Sequence, residues 1–242
     1  MIGKLSTIDF HSHILPRADH GCANSSECIR QLELMSDRGG IDIAVATPHF
    51  YPHLHSVSSF QRIVETSLNR MHEKNVERAP KLCIGAEVLL CENIDQLEGL
   101  DTLCIRGTNV LLLELPFTEL SGPHFKAVRA LLESGYTLVL AHIDRYLKEH
   151  PEYIFEFLDM GALAQINPAA MSAFGPKKIV THLLETRQSI VAVGSDLHKA
   201  SYSSIASFNK LKKALGTHYA DIQERSAALL QNAELIDLTK KD

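Results

Sequence analysis

Residues 8–21 read IDFHSHILPRADHG. An apolar start runs directly into a set of metal-capable side chains: Asp9, His11, His13, Asp19 and His20. Two histidines at i and i+2 on an extended chain point to the same side. His11 and His13 can therefore chelate one ion. A carboxylate or imidazole inside an apolar strand is costly to bury without a partner. One such residue reads as a satisfied core histidine; a run of them asks for a cation.

The same form recurs along the chain. Short apolar, β-branched runs occur at KLSTIDF (4–10), IDIAVAT (41–47), KLCIGAEV (81–88), NVLLLEL (109–115), YTLVLAH (136–142), ALAQIN (162–167) and SIVAVGS (189–195). They are apolar on both alternations, as expected of strands covered on both faces in a parallel sheet. Helix-like segments lie at 24–40, 58–74, 121–135, 149–161, 173–187, 203–215 and 220–234. The first has Glu27 three residues after Asn24 and closes on Gly39 and Gly40, the marks of a capped start and a stop. With no linker, low-complexity tract or repeat, residues 1–242 read as one α/β domain. Seven strand–helix units predict a closed or nearly closed parallel barrel, whose active site forms at the C-terminal ends of the strands.

That rule can be checked on the last residues of each run. They are His11 and His13, His49, Glu87, Glu114, His142, Asn167, and Asp196 with His198. Every run ends in a polar group, and six of the seven supply His, Asp or Glu. A metal cluster explains that recurrence, because cations compensate buried carboxylates and fix neutral imidazoles.

Bulk properties exclude other classes. Net charge is -5, with 45% hydrophobic and 22% charged residues, so there is no basic footprint for nucleic acid. The longest apolar runs are far too short to span a bilayer. No signal-peptide core precedes residue 8, so the chain is expected in the cytoplasm. The five cysteines form no CxxC pair and suggest neither a disulfide framework nor a thiol nucleophile. No P-loop pattern occurs. His53, His55, His72, His124, His150, His182 and His218 fall away from strand ends and read as loop or surface residues.

Taken in order, DFHSHILPRADHG, ATPHFYP, GAEV, LLLELP, LAHIDRY, QINPAAMSAFGPK and GSDLH resemble the motifs of the PHP (polymerase and histidinol phosphatase) superfamily. The likeness is closest to the bacterial tyrosine-protein phosphatases that regulate capsule and exopolysaccharide synthesis. The resemblance implies a distorted seven-stranded (β/α) barrel holding two or three divalent ions, manganese foremost, that hydrolyses phosphate monoesters. It implies that His11, His13, Glu87 and Asp196 hold a first metal. Glu87 would bridge to a second, completed by Glu114 and His142. His49, His198 and a residue of ADHG would hold a third. His20 stands where relatives often carry aspartate, which favours zinc or iron more than an all-carboxylate set would; Asp19 is the alternative ligand. A hydroxide held by the metals would be the nucleophile. Arg145 matches a family arginine that would grip phosphate oxygens. A second arginine of the relatives is missing from HKASYSS, where Lys199 could stand in as a point charge. The implied substrate is a phosphotyrosine protein, the tail of a bacterial tyrosine kinase. The alternatives are a PHP phosphatase of a small metabolite, such as histidinol phosphate or a nucleotide, and a non-enzymatic PHP-type module.

Overall fold

A computed structural model describes residues 6–199 and 201–240. The chain opens with β1 (Ile8–Ser12), α1 (Ser25–Asp37), β2 (Ile43–Ala46), β3 (His49–Phe50) and α2 (Val57–His72). It continues with β4 (Lys81–Ile84), β5 (Glu87–Leu89), β6 (Val110–Glu114), α3 (Gly122–Glu133), β7 (Thr137–Leu140) and α4 (Pro151–Met160). It ends with β8 (Leu163–Ile166), α5 (Lys177–Thr186), β9 (Ile190–Val193), α6 (Tyr202–Leu215) and α7 (Thr217–Leu229). Every expected run and helix has its counterpart. Residues 4 and 5 of the first run lie outside the described residues.

Local chemistry sets the helix ends. The Asn24 side chain accepts from the Glu27 amide, and Glu27 in turn accepts from the Ala23 amide, which satisfies two orphan donors at the start of α1. Ser56 caps α2 by accepting from the Ser59 amide. His124, read as a surface residue, instead completes a capping box with Ser121 at the start of α3. Gly161, at φ 106, ends α4.

The expected seven-stranded barrel, closed or nearly closed, needs correction. Among the described residues there are nine strands in two parallel sheets, ordered β1-β2-β4 and β3-β5-β6-β7-β8-β9. The second run is followed beyond its end by a separate short strand, and the third run breaks in two. Thr47-Pro48 separates β2 from β3, and Gly85-Ala86 separates β4 from β5. Proline has no N–H to give a ladder, and glycine weakens a strand interior. The two runs turn together, linked across the break by Gly85 N–H to Ala46 O at 2.9 Å and Glu87 N–H to Pro48 O at 3.1 Å. At the other edge, the strand pairing between β1 and the segment after β9 is, among the described residues, an isolated bridge, Ser12 with Leu197.

The strands are apolar on both faces, as expected. In β6, Val110 and Leu112 join one buried cluster and Leu111 and Leu113 the other. The same split separates Val139 from Leu138 and Leu140 in β7. No helix among the described residues is long and apolar enough to cross a membrane.

Candidate metal centre

The C-terminal ends of the strands converge. β1 carries Asp9 and His11, and His13 follows it; all three are fully buried. Parallel pairing sets His49 of β3 directly beside Glu87 of β5, and Leu89 beside Glu114, the last residue of β6. His142 follows β7 at φ 32, and Asp196 follows β9 at φ 53. Both sit in the left-handed region, which costs a residue with a Cβ of order 1–3 kcal/mol and persists only where the surroundings enforce it.

Glu87 is the hub. Its Oε2 lies 3.2 Å from His11 Nε2, 3.3 Å from His13 Nε2 and 2.9 Å from His49 Nδ1. Its Oε1 lies 2.7 Å from His142 Nε2. Glu114 stands 3.6 Å from both His49 and His142. Asp196 stands 3.3 Å from His13 and 3.4 Å from His198. Among the described residues, four overlapping sets place their ligand atoms within 4.8 Å of one another: His11–His13–Asp196, His11–Glu87–His142, His49–Glu87–Glu114 and His13–His49–His198. Eight of the nine expected ligands therefore come together, with His49 shared between the Glu87–Glu114 pair and the outer histidines.

His20 is the ninth and joins none of those sets. Its exposed ring stacks at 4.8 Å on both His49 and His198. Asp19 accepts from His13 Nδ1 at 2.6 Å and from the amides of His49 and Gly21 at 3.0 and 2.8 Å. Its carboxylate is committed to orienting His13 and the loop.

The hydrogen bonds behind the ligands fix their tautomers. His13 Nδ1 faces the Asp19 carboxylate, so it carries the proton and leaves the Nε2 lone pair free. His11 Nδ1 faces Gln165 Oε1 at 3.1 Å; that oxygen also accepts the His142 amide at 2.8 Å. The amide orientation follows because Gln165 Nε2 donates to Asn167 Oδ1. With both rings neutral, as metal requires, His11 Nε2 and His13 Nε2 face each other as two lone pairs 3.1 Å apart. Glu87 Oε2 and His49 Nδ1 are buried with no hydrogen-bond partner. Convergent lone pairs on a buried carboxylate fit divalent cations and little else. Nitrogen-rich donors with three carboxylates suit manganese, iron or zinc.

Electrostatics follow the same geometry. Burial raises the Glu114 carboxyl to about 7, and the neighbouring Glu87 charge adds to this. For Glu87, burial also favours the neutral form, but His11 and the other imidazoles outweigh it and hold the carboxyl well below its usual range. Arg145 sits at the mouth with 36% of its side chain exposed. It donates to Asp196 Oδ2 in a short charge-assisted bond and lies 3.7 Å from Glu114 Oε1. Thiol chemistry has no support. Cys22, Cys28, Cys83 and Cys104 are buried, and burial pushes the Cys83 and Cys104 thiols up to about 12.

Sequence reasoning passed over Gln165 and gave no role to two residues it named, Asp9 and Asn167. Asp9, fully buried, accepts from the amide of Ser195 at 2.8 Å and so ties β1 to the loop carrying Asp196. Gln165 sets His11, and Asn167 donates to Asp196 Oδ2 at 3.0 Å. The signal was in the alternation. Asp9 shares the face of His11 and His13, and Gln165 shares that of Asn167, each pair two residues apart.

A family model described as capsular polysaccharide synthesis, CpsB/CapC, matches residues 7–235. The tyrosine-protein phosphatase YwqE of Bacillus subtilis (strain 168) is 25% identical over 240 residues, 95% of this chain and 91% of that protein. A chain from the crystal structures of YwqE from Bacillus subtilis and CpsB from Streptococcus pneumoniae, described as unique metal-dependent tyrosine phosphatases, is similar with a TM-score of 0.76 and 24% identity. It covers 96% of both chains. A β-aspartyl dipeptidase from Fervidobacterium islandicum AW-1 shares the fold more distantly, with a TM-score of 0.51 and 12% identity over 93% of this chain and 74% of that one.

Proposed function

From the premise that the chain belongs to the CpsB/CapC family of capsular polysaccharide synthesis, we propose that it is a metal-dependent protein-tyrosine phosphatase. The observation that carries this reading is the Glu87 hub, with nitrogens of four histidines within 3.3 Å of one carboxylate. A binding module retained without catalysis would have no need to keep so many donors aimed at one point.

His11, His13, His49, Glu87, Glu114, His142, Asp196 and His198 would hold two or three divalent ions, manganese foremost, with His20 as an outer donor. When bound, such ions make a water acidic enough to act as a nucleophile near neutral pH and offset charge on phosphoryl oxygens. The protein's own groups do the rest. Asp19 and Gln165 keep the imidazole lone pairs pointed inward. Arg145 has donors to spare beyond its two carboxylates and would fork onto the phosphate oxygens. Tyr51, stacked 5.1 Å from the His49 ring, would pack against an aromatic leaving group. Lys199 lies exposed beyond His198, where a second phosphate cation would stand.

The substrate in this reading is phosphotyrosine on the flexible tail of a cytoplasmic tyrosine kinase of polysaccharide synthesis. The test compares phosphotyrosine peptides, phosphoserine peptides and small phosphomonoesters such as histidinol phosphate. The expected order in kcat/KM places phosphotyrosine first, with activity lost in chelator and in Glu87→Gln together with bound metal. Faster turnover of a small metabolite would move the assignment to that class.

A further inference from the structure

One strongly charged surface plays no part in the metal centre. Arg17, Arg62, Arg70 and Lys74 line two adjoining open cavities of about 380 and 410 Å³. Arg17 and Arg70 belong to both, so the two form one trough. Arg62, Thr66, Arg70 and Lys74 are spaced four residues apart along α2 and the turn after it, which puts them on one face. No aspartate or glutamate lines either cavity. Among the described residues none of the four cations pairs with a carboxylate, whereas Arg78, Arg106, Arg145 and Arg187 each do.

One wall of the trough is held in place. Arg17 is pinned at φ 61 by its amide to Cys22 O at 2.8 Å and its Nε to Ala23 O at 3.3 Å. Ser67 of α2 donates to Pro16 O at 2.8 Å and ties that loop to the helix. The same loop carries Asp19, which orients His13, and His20 at the metal mouth. Three residues of chain span at most about 11 Å, so Arg17 lies within that reach of His20. In a chain of net charge -5, four cations in one groove with no carboxylate partner among the described residues are a local reversal of sign, and Arg17 joins that groove to the loop at the metal mouth.

We propose that this trough binds an acidic stretch of the polypeptide substrate, rich in aspartate, glutamate or further phosphate, next to the phosphotyrosine held at the metal centre. The proposal rests on the protein-phosphatase reading. It gives a net-negative protein a local field that attracts a negative substrate and places sequence selection on α2, apart from the metals.

The test uses the manganese-loaded full chain and two phosphotyrosine peptides of equal length, one flanked by Glu and Asp, the other by Gln and Asn. A small aryl phosphate is the control. The native chain should favour the acidic peptide at low salt, chiefly through KM, with the advantage shrinking as ionic strength rises. Arg62→Ala with Arg70→Ala should cut that preference about fivefold, the effect of losing two exposed ion pairs. Turnover of the aryl phosphate should stay unchanged, and Arg62→Lys with Arg70→Lys should largely restore the preference. An equal preference in the native and alanine chains would overturn the trough while leaving the phosphatase intact. A fluorescent acidic peptide without phosphotyrosine separates the opposite case. If no phosphopeptide is hydrolysed, yet this probe binds the native chain and not the alanine variant, the trough stands and the enzymatic reading falls. Equal binding to both chains, or tighter binding of a single-stranded oligonucleotide of the same charge, would sink the proposal.

Discussion

Close approach decides the site at the scale of single residues. A Cβ on Gly194 would stand 2.6 Å from His11 Cβ and 2.7 Å from Gln165 Nε2. Gly194→Ala must therefore displace a ligand and the residue that orients it. Losing support of this kind typically weakens metal binding about 10- to 100-fold, and a metal-competition titration of the folded variant should show a loss of that order. Protons compete at the same atoms. In the metal-free chain, burial disfavours charged His11 and His13, but Glu87 acting on His11, and Asp19, Asp196 and Glu87 acting on His13, more than offset it and raise both pKa values. A raised imidazole pKa stabilises the metal-free fold below the unfolded value and loses that effect as pH climbs through the folded one. Metal needs the neutral rings, so its affinity should run the other way and rise with pH. Calorimetry in buffers of different ionisation heat should show protons released on metal uptake, with weaker binding toward pH 6. Uptake without proton release would mean that the rings are already neutral. The ligands themselves were legible in the sequence because a His or Glu stands out against an apolar run. Asp9 and Gln165 were not, because a polar residue within a strand shows no partner until the partner strand is placed.

Elements bring these residues together, and one contact between elements is testable by itself. β1 carries the HSH pair, and α7 clips it from behind: Gln223 Oε1 accepts from the Ile8 amide at 2.5 Å, and Gln223 Nε2 donates to Ile8 O at 3.2 Å. Gln223→Ala would leave two buried main-chain groups without partners, each costing about 1–3 kcal/mol. A loss of about 2 kcal/mol or more is expected in denaturant unfolding of the metal-free chain, with metal restoring part of it; a change within 0.5 kcal/mol, roughly the scatter of surface substitutions, would mean that water replaces the glutamine. Helices and strands were readable from period and caps. Two turning points were not. Gly85-Ala86 sits inside a run that reads as one strand, Thr47-Pro48 at the end of another, and only the register shows that both chains turn at the same level and pass from one sheet to the other. Pro48, just past the second run, fits the first turn, since proline gives no N–H to a ladder. The second is a lone glycine, which a strand often tolerates. A two-residue strand such as β3 has no periodicity to detect.

For the whole molecule, the split into two sheets changes what metal would do. His11 and His13 belong to the end of β1 in the three-stranded sheet, while His49, Glu87 and Glu114 belong to the six-stranded sheet. Asp196 and His198 follow β9 and meet β1 through the lone bridge at Ser12. Main-chain hydrogen bonds close neither seam into continuous sheet, so ions bound to both sets would tie the sheets together at the C-terminal ends of the strands. Without them, Glu87 Oε2 and His49 Nδ1 are buried 2.9 Å apart with no hydrogen bond among the described residues, and burial with the Glu87 charge holds the Glu114 carboxyl up at about 7. Metal should therefore raise stability by more than the ordinary grip of a surface ion. Binding to the folded state alone contributes about 2.7 kcal/mol at a ligand concentration a hundredfold above Kd, which in a chain of this size corresponds to a Tm increase of roughly 5–10 °C. Thermal scans with manganese and with chelator should differ by at least that much. Hydrogen exchange locates the effect: amides at both seams, Thr47, Gly85, His13 and Asp196, should gain protection with metal, while amides within α4 and α5, which carry no ligand, should not. Uniform protection would indicate simple mass action on global unfolding. No protection at the seams would show that the sheets are already joined by packing, and that the metals act only on the substrate.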